Sequence, residues 1–316
     1  LKPRALYFFL LGPQLALLFR MAEEKWLAKG SGIFAQYFST SEKPLGGVVI
    51  STGIHQHSGL YELFAKRLVA DGYAVLAYDH RGFGRSKCYQ GQQRSQIADW
   101  HSLDKPSAIG DLKDAVEFLG KLSGASKIFV FGHSLGGLVA VLLATSEVNN
   151  AAGFILSNPS VANPWEGVGD EKQKELEAMS PDDSTFGFDA DSASGCAALK
   201  ELWSSDPIAR YIEAERPFKA GYLLGVVTDA IATVRARFSR FTSPAYVIRG
   251  GEDIAVYEQH GCADLLRGAS KDAALTLISY PKYKHEIIFE PGLSMEPGAN
   301  EVVDGIVAWL KMQGPA

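Results

Sequence analysis

The sequence predicts an α/β fold in which a mostly parallel central sheet carries helices on both faces and a helical segment is inserted as a cap. From residue 47 onward, short β-branched runs alternate with amphipathic stretches, as in consecutive βαβ units. The alternation stops near residue 160 and resumes near residue 243. The chain has 316 residues, 47% of them hydrophobic and 21% charged. This length and composition allow one large buried core.

The first half of the chain supplies strands and helices in alternation. Apolar β-branched runs predict the strands, and apolar side chains at helical spacing, such as Ile109, Leu112 and Val116, predict the helices. The first helix ends at Asp71 and Gly72, which are typical of helix ends. The predicted strands are residues 48–52, 73–79, 128–131 and 153–157, and the predicted helices are residues 61–70, about 109–119 and 135–145.

After residue 159 the alternation is interrupted by a segment that we interpret as a cap. Ligands of open α/β sheets bind beyond the carboxyl ends of the strands, and an insertion that leaves from such an end lies over that site. Strands are predicted again at residues 245–250 and 275–280, and a last helix at about 302–310. The predicted division is an apolar N-terminal extension (1–20), a core in two parts (21–159 and 243–316) and the cap (160–242).

The predicted cap contains an apolar run with helical spacing. Its apolar face suits a tunnel for an acyl chain or contact with a membrane, and it equally suits packing of the cap onto the core. The side chains of this face are Tyr222, Leu223, Val226, Val227 and Ile231.

Charge and cysteine content exclude several classes. The net charge of -5 comes from interspersed residues without a Lys/Arg run, so no nucleic-acid partner is expected. Cys88, Cys196 and Cys262 are widely spaced and form no CxxC pair, which favours neither a disulfide framework nor a zinc site, and a reducing, cytoplasmic compartment fits best. His55 and His57 lack further ligands nearby, so no metal is expected.

The N-terminal extension is apolar over residues 5–19, directly after Lys2 and Arg4. These fifteen residues fall short of the roughly 18–20 that a membrane-spanning helix needs. We interpret the extension as a membrane-surface or hydrophobic docking segment or as the remnant of a targeting segment, with a packed extra helix as a further alternative. The expected localisation is cytoplasmic, with possible membrane association.

The motif with the most chemical content is Gly132-His133-Ser134-Leu135-Gly136. A β-rich run enters it and a helix-compatible run leaves it, which predicts a tight strand-to-helix turn with glycine where a β-carbon would collide. The Ser134 hydroxyl would then lie at a helix N-terminus, where free N–H groups and the helix dipole favour negative charge. We therefore predict that Ser134 is a nucleophile, although a serine at this place can also be a simple helix cap.

A serine nucleophile needs a base to take its proton and a carboxylate to orient that base. In this topology both follow the serine, on loops that leave later strands. His260 lies in a helix-like stretch, whereas His285 follows the strand at 275–280 on a loop, so His285 is the predicted base. Asp253 follows the strand at 245–250 and is the predicted acid, with Glu252 as the alternative.

Two backbone N–H groups are predicted to stabilise the oxyanion that forms during attack. One belongs to Leu135, directly after the nucleophile. The other belongs to Ile54, on the loop after the strand at 48–52, where Gly53 permits close approach. His57 on the same loop is predicted to be a structural hydrogen-bonding residue. Gly82-Phe83-Gly84 lacks the third glycine of a dinucleotide loop and is predicted to be a tight turn.

Several segments together resemble α/β-hydrolases of the monoacylglycerol lipase type, within the group of lysophospholipase-like and serine aminopeptidase hydrolases. The resemblance covers about residues 26–310 and follows the family's order. It is carried by TGIHQHSGLYELFAKRL, which is similar to the family's HGxxEHSGRY, and by YDHRGFGRS, GHSLGG, SDP, GGED and KHEI. Two positions depart from the family's pattern: Thr52 replaces a histidine and Gln56 replaces a glutamate.

The resemblance implies the α/β-hydrolase fold, no cofactor, a catalytic triad of Ser134, Asp253 and His285, and oxyanion donors at Ile54 and Leu135. It implies a serine hydrolase acting on lipid esters, with monoacylglycerol split into glycerol and fatty acid. A lysophospholipase or general carboxylesterase is the alternative, and a non-catalytic binding module is the second. Peripheral membrane contact would use the cap and the N-terminal extension. The expected substrate-binding residues are Gly53, His133, Tyr222, Leu223, Val226 and Val227.

Overall fold

The computed structural model describes residues 22–27, 32–39, 43–54, 56–86, 107–162, 171, 174–175, 178–180, 190–208, 225–253 and 258–314. Of the residues singled out in the sequence, His55, Cys88, Tyr222 and Leu223 lie outside this part, as does the extension 1–20.

A single sheet of eight strands forms the centre of the described part. The strand order is β1-β2-β4-β3-β5-β6-β7-β8. β2 pairs antiparallel with β1 and with β4, and all other neighbours are parallel, which confirms the predicted mostly parallel sheet. The strands are β1 (Glu23–Trp26), β2 (Phe34–Phe38), β3 (Gly46–Ser51), β4 (Tyr73–Tyr78), β5 (Ile128–His133), β6 (Gly153–Ser157), β7 (Ala245–Gly250) and β8 (Leu275–Tyr280).

The strands β1 and β2 have no counterpart among the sequence-based predictions. β1 is a short edge strand with the sequence EEKW, in which every second side chain is exposed. Three charged residues in four do not produce the apolar run that marks a buried strand. Its pairing with β2 is a tertiary contact, in which Trp26 lies opposite Phe34 with ring centroids 5.6 Å apart.

Helices cover both faces of the sheet. The described helices are α1 (Glu62–Ala70), α2 (Ala108–Ser123), α3 (Leu135–Ala144), α4 (Ala190–Ala193), α5 (Ala197–Ser205), α6 (Thr228–Ala236), α7 (Glu258–Gly268) and α8 (Glu301–Met312). α2 begins after Ser107, whose side chain accepts a hydrogen bond from Gly110 N, and it ends at Gly124 in a left-handed conformation (φ 72°). Serine is a preferred residue directly before a helix, and a glycine in the left-handed conformation is a common residue directly after one.

Two apolar clusters lie on opposite faces of the sheet. Along β3, Val49 belongs to the first core cluster, together with apolar residues of α2, α3 and α6. Val48 and Ile50 belong to the second core cluster, together with residues of α1 and α8. Successive side chains of a strand point to opposite faces. The predicted layers of helix, sheet and helix are therefore confirmed.

None of the helices in the described part combines the length and the apolar content that crossing a bilayer would require.

Candidate active site

Ser134 occupies the sharp turn between β5 and α3. Its φ is 50°, a left-handed value that residues other than glycine rarely adopt. A β-carbon on Gly136 would lie 2.1 Å from Ser51 O, and one on Gly132 would lie 2.7 Å from Gly136 O. Gly136 is therefore required where the turn packs against the end of β3, and Gly132 where it packs against the first turn of α3, as the sequence motif predicts. Ser134 Oγ lies 3.4 Å from Ser160 Oγ, a hydroxyl that no sequence motif marked.

Asp253 and His285 meet at the carboxyl ends of β7 and β8. His285 Nδ1 lies 2.7 Å from Asp253 Oδ2, and the two residues are 5% and 3% exposed. Glu252, the alternative acid, is exposed to solvent, and His260, the alternative base, lies in the first turn of α7. The residues preferred in the sequence are thus the pair that the fold brings together, across 32 positions of the chain.

The environment of His285 favours its charged form. Burial lowers the pKa of His285, but the charge and hydrogen bond of Asp253 and the charge of Glu286 outweigh burial, so the pKa lies above its ordinary value. The imidazole can therefore accept and hold a proton, because Asp253 stabilises the imidazolium cation that results.

Ile54 and Leu135 follow neighbouring strands of the sheet. β3 and β5 run parallel, with Ser51 opposite Gly132. Ile54 lies in the turn after β3 and is half-buried, and Leu135 is the first residue of α3 and is buried. Both residues therefore lie at the edge of the sheet where Ser134 lies.

Gln56 ties the loop after β3 to the segment that carries His285. Gly53 N donates to Gln56 Oε1 at 2.7 Å, and Tyr61 OH donates to the same oxygen at 2.6 Å. Gln56 Nε2 in turn donates to Glu286 Oε1 at 2.7 Å. The sequence displayed Glu286 next to His285 in KHEI, but its partner lies 230 positions away. Sequence reasoning therefore missed Glu286 as part of the site.

His133, His285 and Glu286 form a buried polar cluster beside Ser134. Their potential metal-ligand atoms lie within 4.8 Å of one another. His133 Nε2 lies 3.2 Å from Glu286 Oε1, and His133 Nδ1 lies 3.1 Å from Ser157 O. His285 Nδ1 is also hydrogen-bonded to Asp253, and Glu286 Oε1 accepts a hydrogen bond from Gln56. Because these atoms already form hydrogen bonds with one another and with their neighbours, we interpret the cluster as a hydrogen-bonded network rather than as a metal site.

Glu286 carries its charge in this network. Burial raises the pKa of Glu286, but His133, the charge of His285 and the hydrogen bond from Gln56 outweigh burial, and the pKa lies below its ordinary value. A second buried carboxylate therefore lies next to His285, in addition to Asp253.

His57 links the loop after β3 to the predicted cap. His57 Nε2 lies 3.0 Å from Asp206 Oδ2, in the SDP segment, and His57 Nδ1 accepts from Gly59 N at 3.1 Å. His57 thus has the structural hydrogen-bonding role expected from the sequence.

Asp79 accepts from Ser58 N at 2.6 Å, and a β-carbon on Gly84 would lie 2.1 Å from Asp79 Oδ2. The tight turn predicted around Gly84 is therefore packed directly against this carboxylate.

The described part of the predicted cap packs on the core. Val226 and Val227 are half-buried and contact the first core cluster, as does Ile54. Ile231, in α6, is 6% exposed, and α6 lies against α3. These contacts fit the packing alternative for the apolar face of the cap. Gly53 and His133 lie close together, since a β-carbon on Gly53 would lie 2.9 Å from His133 Cδ2.

Comparison with known proteins identifies the family. The family model of serine aminopeptidase, S33, matches residues 42–292. The chain is 27% identical to monoglyceride lipase of Homo sapiens over 229 residues, which is 72% of this chain and 71% of that protein. It is 26% identical to monoacylglycerol lipase of Mycolicibacterium smegmatis over 284 residues, which is 89% of this chain and 93% of that protein.

The fold is shared with a solved structure. A soluble variant of monoglyceride lipase from Saccharomyces cerevisiae, in complex with a substrate analog, superposes with a TM-score of 0.70 at 18% identity and covers 93% of this chain and 97% of that chain. The family model spans well over half of the sequence. The eight strands of the described part form one mostly parallel sheet, as in an α/β-hydrolase. The chain therefore belongs to the serine aminopeptidase S33 family and has the α/β-hydrolase fold.

Proposed function

We propose that this protein is a serine hydrolase that cleaves carboxylic ester bonds of lipids and converts monoacylglycerol to glycerol and free fatty acid. The proposal rests on one observation: a serine in the left-handed turn after β5 lies at the same sheet edge as a buried Asp–His pair with a 2.7 Å hydrogen bond. The relatives named above, monoglyceride and monoacylglycerol lipases, support the substrate class.

In the proposed mechanism, Ser134 Oγ attacks the acyl carbonyl while His285 Nε2 takes its proton. Asp253 accepts from His285 Nδ1–H and stabilises the imidazolium. The N–H groups of Ile54 and Leu135 stabilise the oxyanion of the tetrahedral intermediate. His285 then gives its proton to the leaving glycerol oxygen. A water molecule, activated by His285, attacks the acyl-enzyme, and collapse of the second intermediate releases the fatty acid and regenerates Ser134.

The remaining predicted residues would bind the lipid. Gly53 and His133 adjoin the reacting groups, and we assign the acyl chain to the apolar face of the cap, with Val226 and Val227 at its described end. Residues 160–242 act as the cap in this proposal. Contact with a membrane surface through the cap and the N-terminal extension would deliver the substrate.

The substrate class is tested by comparing monoacylglycerols of increasing acyl length, a lysophospholipid and short p-nitrophenyl esters, all below their micelle limits, with Ser134→Ala as the blank. Each buried methylene contributes about 0.8 kcal/mol, so we expect kcat/KM to rise with acyl length and to be highest for a long-chain monoacylglycerol. A preference for the short esters would indicate a general carboxylesterase. A preference for the lysophospholipid would indicate a lysophospholipase.

The charge of Glu286 sets part of the pH dependence. Protonated His285 cannot accept the Ser134 proton, so kcat/KM falls as the pH drops through the pKa of His285. Glu286→Gln removes a negative charge that raises this pKa, so we expect the acidic limb of the kcat/KM profile to move to lower pH. The change at the alkaline plateau should stay below about tenfold because Asp253 still orients the imidazole.

Glu290→Gln is the matched control for Glu286→Gln. Glu290 lies four positions further on and accepts hydrogen bonds from Ser194 Oγ and Gly195 N. We expect its pH profile to match that of the wild type. An acidic limb that stays in place in Glu286→Gln, or moves to higher pH, would contradict the assigned role of Glu286.

A further inference from the structure

A buried amide outside the proposed catalytic machinery joins the loops that carry Asp253 and His285. Asn158 follows β6 directly and is fully buried. Its Oδ1 accepts a hydrogen bond from Gly250 N at 2.9 Å. Its Nδ2 donates to His285 O at 2.7 Å and to Lys284 O at 3.3 Å. The side chain thus bonds to the end of β7 and to the segment after β8 at the same time.

The backbone of Asn158 is held in a rarely occupied conformation. Its φ is 42°, and Ser134 is the other residue besides glycine with a positive φ among the described residues. Asn158 N donates to Ile248 O at 2.9 Å, and this hydrogen bond holds the residue against β7. Backbone strain of this kind persists only where the surroundings enforce it, and it clusters at functional sites.

The loops joined by Asn158 are in direct contact with each other. A β-carbon on Gly250 would lie 2.3 Å from Tyr283 O and 2.4 Å from Lys284 O. Glu252 N donates to Tyr283 O at 3.0 Å. The segments that carry the acid and the base are therefore held together by close backbone packing. The Asn158 amide connects both segments to the end of the adjacent strand β6.

The same short segment also holds the serine turn. Ser134 N donates to Ser157 O at 3.0 Å, and Ser160 N donates to Ser134 O at 3.0 Å. A β-carbon on Gly137 would lie 2.7 Å from Pro159 Cα, so the segment also packs on the first turn of α3. Residues 157–160 thus contact all three parts of the site: the serine by backbone hydrogen bonds, and the acid and base loops by one side chain.

We propose that Asn158 is a positioning residue that holds the Asp253–His285 pair in register with Ser134. This inference rests on the proposed function, since it concerns the geometry of the same reacting groups. Both polar atoms of the amide are used, and their partners are backbone groups of Gly250, Lys284 and His285, so truncation of the side chain removes these hydrogen bonds from buried backbone. Small displacements of reacting groups reduce the rate strongly, while substrate binding depends on other contacts.

The test is Asn158→Gly, because glycine accepts the left-handed backbone conformation while the side chain that carries the amide is removed. We expect kcat per active site, counted by titration with a fluorophosphonate, to fall about 10–100-fold while KM changes by less than about threefold. The acidic limb of the pH profile should move to lower pH because Asp253 raises the pKa of His285 less effectively when the pair is displaced. A loss of stability alone would reduce the number of titrated sites and leave kcat per active site and the pH profile unchanged.

Asn149→Gly is the matched control. The Asn149 side chain also joins two segments, through Ser243 Oγ at 2.9 Å and Ala151 N at 3.1 Å, but it does so just before β6, at the opposite end of that strand. We expect its kcat and pH profile to match those of the wild type. A kcat of Asn158→Gly within about threefold of the wild type would overturn the inference.

A measurement that needs no substrate separates this inference from the proposed function. The proton on His285 Nδ1, bonded to Asp253, gives a downfield NMR signal, which we expect to be present in the wild type and in Asn149→Gly and shifted or lost in Asn158→Gly. An unchanged signal in Asn158→Gly would overturn the role of Asn158. If the wild type hydrolyses no ester, the proposed function fails, and the NMR signal alone decides on Asn158.

Discussion

Replacing Ser134 by alanine is expected to lower kcat for ester hydrolysis by about 10⁴–10⁶-fold, because the proposed acyl-enzyme forms on the Ser134 oxygen. The variant should also fail to react with a fluorophosphonate probe that labels the wild type. KM should change little, since the serine hydroxyl contributes to the transition state rather than to ground-state binding. Hydrolysis of the best ester found in the substrate panel and gel-based probe labelling are the two measurements.

Ser160→Ala is the sharpest control for Ser134→Ala. Its hydroxyl lies 3.4 Å from Ser134 Oγ and is the nearest chemical equivalent. Ser160 stands at a bend after β6 and lacks the strained turn before a helix N-terminus. We expect Ser160→Ala to be labelled by the probe and to lose less than about tenfold in kcat. Full labelling of Ser134→Ala would remove Ser134 from its assigned role, and loss of labelling only in Ser160→Ala would transfer that role.

Replacing Asp253 by asparagine is expected to lower kcat by about 10⁴-fold. An amide retains the size of the carboxylate, but it lacks the charge that stabilises the imidazolium and can hold His285 in the wrong tautomer. Since Asp253 raises the pKa of His285 against the effect of burial, the residual activity should have an acidic limb at lower pH. Steady-state kinetics across the pH range give both quantities.

Glu252→Gln is the control for Asp253→Asn because it changes the adjacent carboxylate, which is exposed. We expect kcat within about twofold of the wild type, as for a surface substitution without a special feature. A large loss in Glu252→Gln together with an active Asp253→Asn would mean that the proposed acid is wrong, even though the 2.7 Å hydrogen bond joins Asp253 to His285.

Local patterns were sufficient for the parallel part of the fold. The strands predicted at residues 153–157, 245–250 and 275–280 have the bounds that the structure shows. The first two are largely buried parallel strands, which are typically apolar runs. The third is a partly exposed edge strand, and its β-branched and aromatic residues mark it in the sequence. The hairpin of β1 and β2 was not predicted, since its charged edge strand is stabilised by pairing rather than by its own composition.

The reacting groups of the proposed mechanism could be predicted from local sequence alone: a serine between two glycines, and a histidine and an aspartate placed just after predicted strands. Such motifs are visible because steric and reactive demands restrict the residue types at a few adjacent positions. The contacts that hold these groups in place, in contrast, depend on how distant segments fold together. The links from Gln56 to Glu286 and from Asn158 to His285 join residues 230 and 127 positions apart. No local sequence pattern marks these polar residues as partners, because it is the strand order that brings them to one edge of the sheet.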